Sequence, residues 1–184
     1  TTGNNNVATG YNALYSNIAN NRSTAIGYQS MYYADDRTTG RDTYNTAVGY
    51  EALRGSATAA NNTGQYNTAV GDQALFSNTS GISNTAIGLN ALSFNTTGNN
   101  NTALGYQASF ENISGEDNTS VGYQALFSNT SGNSNTANGY QAMFSNTTGV
   151  FNTAVGYRAL HANVAANSNT ANGYNALSDN TQGD

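Results

Sequence analysis

The side chains able to do chemistry are few, so their types and spacing come first. His161 is the single histidine among 184 residues, and there is no cysteine. A histidine metal cluster, a His-dependent triad and a thiolate site are therefore impossible within one chain. Asp35, Asp36, Arg37, Arg41 and Asp42 form the densest group of charge, in a chain only 8% charged. Carboxylates at that density suggest a Ca²⁺ site or a receptor contact. Interleaved with arginines, they equally suggest a loop whose charges pair with one another. The spacing fits neither an EF-hand nor a glycine-aspartate calcium repeat. The glycines recur at regular intervals and do not form a phosphate loop opening a helix. We expect no catalytic residue, no metal and no cofactor; the chain reads as a non-enzyme.

Composition excludes other partners. All five basic residues are arginine, they form no stripe, and the net charge is −5. Neutralising phosphates needs clustered cations, so nucleic acid is not an expected partner. No window approaches the run of about 18 apolar residues that spans a membrane. Thirteen tyrosines and six phenylalanines argue against simple disorder. Asn78, Asn95, Asn112, Asn129 and Asn146 head N-glycosylation sequons, as do Asn21, Asn61 and Asn118. The regular spacing of the first five follows from a repeat, so it says little about glycans.

That repeat must position everything else. Asn-Thr-Ala-(aliphatic)-Gly-Tyr-Gln-Ala-Leu recurs ten times, centred on Gly10, Gly27, Gly49, Gly71, Gly88, Gly105, Gly122, Gly139, Gly156 and Gly173. The spacing is 17 residues, except for two adjacent intervals of 22 that carry insertions at about 34–44 and 54–64. Both ends fall at nearly the same place in the unit, which we expect of a segment of a longer array. Thr, Val, Ile, Tyr and Phe favour strands, and Asn-Thr-Ser-Gly is turn chemistry. No stretch between punctuating residues is long enough for a stable helix. Each unit should form two short strands, roughly Thr-Ala-Val-Gly and Gln-Ala-Leu-Phe, and a turn. The expected fold is all-β: residues 1–184 form a parallel β-solenoid of ten coils rising about 4.8 Å each.

In such a stack every position becomes a ladder. Ile26, Val48, Val70, Ile87, Leu104, Val121 and Val155 should form a buried aliphatic column. Asn138 and Asn172 replace that aliphatic residue, as does Thr9; around a symmetry axis their amides could hold water or an anion. Tyr106, Tyr123, Tyr140 and Tyr157 belong to a tyrosine column broken at Asp72 and Leu89. Asn95, Asn112, Asn129 and Asn146 belong to a turn column whose amides should bond from coil to coil. His161 replaces Tyr15, Tyr32, Phe76, Phe110, Phe127 or Phe144 in its column, so it reads as a substituted aromatic rung. Val and Tyr project to one face and Ala and Leu to the other. Both faces are thus apolar or small, and a two-sided roll covers only its inside. The other face must meet a further chain or water, which points to a cyclic oligomer.

Ala25-Ile26-Gly27, Ala47-Val48-Gly49 and Ala86-Ile87-Gly88 resemble the Ala-Ile-Gly repeats of trimeric autotransporter adhesin heads of the YadA type. The longer Asn-Thr-Ala-Val-Gly-Tyr-Gln-Ala-Leu-Phe-Ser-Asn-Thr-Ser-Gly string is similar to arrays in bacterial surface proteins and phage tail fibres. The resemblance implies a left-handed β-roll, three chains about one axis, and display or adhesion at a cell surface or virion. The unit here is longer than in the adhesin heads, with a tyrosine and a larger turn. The expected partners are further copies of the chain, as homotrimer or filament neighbours, and a host-surface protein or glycan. Two other readings remain. One is a self-assembling extracellular filament subunit. The other is a module binding glycan, protein or ice through the insertions or the Thr column.

Overall fold

The computed structural model describes residues 3–34 and 36–181. Ten three-residue strands stand in one parallel sheet, in chain order. They are β1 (Val7–Thr9), β2 (Thr24–Ile26), β3 (Thr46–Val48), β4 (Thr68–Val70), β5 (Thr85–Ile87), β6 (Thr102–Leu104), β7 (Thr119–Val121), β8 (Thr136–Asn138), β9 (Thr153–Val155) and β10 (Thr170–Asn172). Register is unbroken: Thr102 lies beside Thr119, Ala103 beside Ser120 and Leu104 beside Val121. It survives both insertions, with Thr24 beside Thr46 and Thr46 beside Thr68. The chain is a parallel β-solenoid of ten turns.

The expected second strand is not there. Gln124 and Leu126 have φ of 51° and 54°, and the same pair of left-handed residues recurs in every coil. A third left-handed residue per coil lies five places before the central glycine, as at Asn100, Asp117 and Ser134. Side chains at such φ cost roughly 1 kcal/mol or more each, so something must hold them. The amides do. Gln124 N–H donates to Tyr106 O at 2.9 Å in one neighbouring coil, and Leu126 N–H donates to Ala142 O at 2.9 Å in the other. The two left-handed amides reach opposite neighbours, so a segment too curved for a strand is still bonded on both sides.

The central glycine permits the stacking. Gly122 has φ +131°, and a Cβ there would stand 2.5 Å from Gly139 O in the next coil. Only glycine combines that φ with that approach.

Inside the second to ninth coils, the alanines two places before and three after the glycine are fully buried, with Leu75, Leu92, Leu126, Met143 and Leu160. Two asparagine ladders fill the rest. Asn129 Nδ2 donates to Asn112 Oδ1 at 2.8 Å and to Gly132 O at 3.0 Å, while its Oδ1 accepts from Asn146 Nδ2 at 2.9 Å. In the second ladder, Asn118 N–H and Nδ2 donate to Asn101 Oδ1 at 3.0 and 3.2 Å, and the same Nδ2 reaches Gly132 O at 2.8 Å. Each amide thus satisfies a turn carbonyl and the next rung, which is how polar side chains occupy this interior.

Candidate interface on the open sheet face

The strands are three residues long and alternate. The middle residue points inward, and the Thr before it and the aliphatic after it point outward. The expectation that the aliphatic column is buried is therefore corrected for the single chain. Ile26 is 39% exposed and Leu104 44%, against 0% for Ala25 and Ala103. Tyrosines beside the column continue the outer face and stack face to face. Tyr106–Tyr123, Tyr123–Tyr140 and Tyr140–Tyr157 centroids lie 5.0, 5.1 and 5.1 Å apart, close to the coil rise. Asp72 and Leu89 interrupt the ladder between Tyr50 and Tyr106. Thr, aliphatic and Tyr columns together form a largely apolar band along the ten strands. Ten rungs at about 4.8 Å and a width of about five residues give roughly 750 Å². That exceeds the largest apolar patch of an ordinary monomer, about 300–600 Å².

Asn138 and Asn172 stand exposed in the aliphatic column of this band, on β8 and β10, with Val155 between them. The structure separates them from the charged insertion, which is built from other parts of the coil.

In that insertion Asp42 is occupied on both oxygens. Arg22 Nε lies 3.1 Å from its Oδ2, Tyr44 OH donates to Oδ2 at 3.2 Å, and Asn21 Nδ2 donates to Oδ1 at 3.1 Å. Arg41 Nη2 donates to Asn62 O at 3.2 Å and so ties the first insertion to the second. Asp36 and Arg37 are exposed, and Asp35 lies outside the described residues. Among the described residues no group of three or more His, Cys, Asp or Glu is placed to hold a metal. Asp42 thus pairs with Arg22, an arginine that lies outside the insertion. In the second insertion Ala59–Asn61 forms a single 3₁₀ turn with Ala59 buried. The regular turn asparagine is replaced by Ala34 and Ser56 here. Asn62 takes over part of its work, bonding Ser56 O at 2.9 Å, and a space of about 40 Å³ with a mixed lining remains nearby.

His161 stacks on Phe144 at 5.3 Å with rings 7° from parallel, as an aromatic rung does. Burial, and then the neighbouring Arg158 guanidinium, push its pKa below the usual 6.5, with Asp179 opposing. Its stack and its Arg158 contact make it a rung of the aromatic ladder.

The sequon asparagines Asn95, Asn112, Asn129 and Asn146 are buried, with Nδ2 inside the amide ladder. Asn61 is the exposed sequon among those named above, and Asn21 is half-buried. A sugar ring stacking on an aromatic needs a free ring face, and Tyr123 and Tyr140 have both faces covered by neighbours. What sequence reasoning missed was the groove beside Phe94, where Ser93-Phe94 inverts the Phe-Ser order of Phe76-Ser77 and Phe127-Ser128. That inversion was the signal. Comparison of the chain with protein-family models, curated proteins and solved structures finds no match.

Proposed function

We propose that this chain is a structural segment of an extracellular fibre, a rigid rod for display or attachment of the bacterial adhesin or phage tail-fibre kind. Its open sheet face is covered by two further copies around a common axis, the coil being left-handed as in the adhesin heads it resembles. The observation that carries the reading is the exposed, largely apolar face that runs along ten in-register strands, broken by Asp72 in the tyrosine column and by Asn138 and Asn172 in the aliphatic one. Its area, roughly 750 Å², equals what each partner gives to a standard protein interface, about 800 Å². A second copy also matches it best, because a neighbour with the same rise places rung against rung with no change of register. The reading assigns the chain no catalysis and no cofactor. Attachment to a host protein or glycan would use groups off this band.

Light scattering of the purified chain tests it. The expected mass is three chains, and Leu104→Lys with Val121→Lys on the band should reduce it to one without loss of β-structure. A single-chain mass for the unsubstituted protein would overturn the proposal. One observation favours a second reading. The Thr column, from Thr24 to Thr170, runs in register beside the aliphatic column on the same face, and a regular Thr array is what an ice-binding surface would use. Thermal hysteresis by the unassociated chain would favour it, and its absence would remove it.

A further inference from the structure

A rod built only to stack gains nothing from breaking its own ladders, yet coils five and six do so together. In most coils the aromatic rung follows the buried Leu or Met directly, and Phe110, Phe127 and Phe144 stack at 5.2 and 5.0 Å. At Ser93-Phe94 the order is reversed. Leu92 keeps the buried rung, Ser93 takes the place of the aromatic one, and Phe94 emerges one position later, 49% exposed. Its ring meets Phe110 edge to face, at 4.9 Å and 83°. The next coil carries Glu111 at the position that is Ser128 and Ser145 further on, and Ile113, 48% exposed, where Thr130 and Thr147 follow. These departures converge. Ser77, Phe94, Thr96, Glu111, Ile113 and Thr130 line one groove of about 380 Å³. Its walls are the Phe94 ring, the Ile113 side chain and threonine methyls, and Glu111 is the only charged group lining it. Among the described residues that carboxylate forms no ion pair.

We infer that this groove is a binding site for a small aromatic ammonium, an aryl ring on a short alkyl arm ending in a protonated amine. The volume is at the lower end of small-molecule sites, which suits one ring and a short arm. The ring would pack against Phe94 and Ile113, in the edge-to-face manner Phe94 already adopts on Phe110. The ammonium would reach the Glu111 carboxylate, a pairing of unlike charge at the groove's rim. The site is independent of the open sheet face, so it stands or falls separately from the oligomer.

The test is amide TROSY NMR of the full chain titrated with 2-phenylethylammonium, with 2-phenylethanol and phenylacetate as neutral and anionic controls. We expect saturable shifts confined to the rungs from Ser77 to Thr130, with a Kd on the order of 1 mM, as for a ligand of this size. Because the ion pair is solvent-exposed, Glu111→Gln and the neutral control should each bind about two- to fivefold more weakly. Exchanging the dipeptide (Ser93→Phe with Phe94→Ser) restores the regular ladder and should abolish the shifts while the rest of the spectrum is kept. Absence of any response overturns the inference, and this includes the case where a second copy of the chain fills the groove. So do shifts spread over all rungs, equal response to the three compounds, or unchanged binding in Glu111→Gln.

Discussion

Removing one amide from the middle of the asparagine ladder should cost much more than removing one at its end. In Asn129→Ala three hydrogen bonds disappear, but not all the partners are left bare. Gly132 O keeps its bond from Asn118 Nδ2 at 2.8 Å. Asn112 Oδ1 and one N–H of Asn146 lose the partners that the ladder gave them. A buried unsatisfied group costs about 1–3 kcal/mol, so two give about 2–6 kcal/mol. Water admitted to the vacated space offsets part, and we expect about 3 kcal/mol, a large fraction of a typical 5–15 kcal/mol. Asn163 closes the ladder and its Oδ1 has no partner. Its replacement by Ala strips only Asn146 Oδ1, since Ala166 O is still held by Asn152 Nδ2 at 2.8 Å. That should cost about 1–2 kcal/mol. The assay is guanidinium unfolding followed by circular dichroism at fixed protein concentration, with exposed Ser131→Ala as the control. If Asn129→Ala falls within about 0.5 kcal/mol of Ser131→Ala, the usual range of surface changes, the ladder does not hold the coils.

Other outcomes follow from the same contacts. Gly122→Ala, with a Cβ 2.5 Å from Gly139 O, should prevent folding or cost more than about 3 kcal/mol, whereas Gly173→Ala, whose Cβ would meet nothing nearer than 3.9 Å, should lose only the backbone strain of about 1–2 kcal/mol; paired thermal melts decide. At the left-handed Gln124, Asn and Val both lose the side-chain bonds to Gln107 and Gln141, and the β-branched Val should cost about 1–2 kcal/mol more than Asn, read by the same melts. His161 has a lowered folded pKa, so its contribution to stability is fully present above pH 6.5 and is lost as pH falls through the unfolded and then the folded value. His161→Phe should remove that part of the acid sensitivity, checked by denaturation midpoints between about pH 7 and 5.

The repeat and its register were legible in the sequence because in-register stacking puts the same demand on the same position in every coil. Gly105 and Gly122 are spaced by one coil for that reason. The inward Ala and Leu columns and the amide ladder could be read likewise, since stacking turns a position into a column whatever the local conformation. The path between columns could not. Leu126 and Met143 are strand-formers or helix-formers by propensity, yet tertiary hydrogen bonds hold them left-handed. Only the occasional asparagine in the Gln column, at Asn12, Asn90 and Asn175, hints at it. The aliphatic column was misplaced for a related reason. A hydrophobic residue next to a glycine reads as core, and nothing in one coil says which side of a three-residue strand is inside. Alanine takes the inside because neighbouring backbones leave no room for more. The groove at Phe94 depends on a reversed dipeptide, visible in the sequence but meaningless until Phe110 and Glu111 are placed beside it.

Cysteine placed at Val121 and spin-labelled gives the most direct test of how the open face is used, because the chain has no cysteine of its own. If three copies meet on this face, labels on different chains lie within about 20 Å, twice the usual spacing of packed sheets, and dipolar coupling appears without any second label per chain. The same label at exposed Ser131, off the band, should show weaker coupling. Uncoupled spectra at Val121, at concentrations where the fibre segment is intact, would contradict the account.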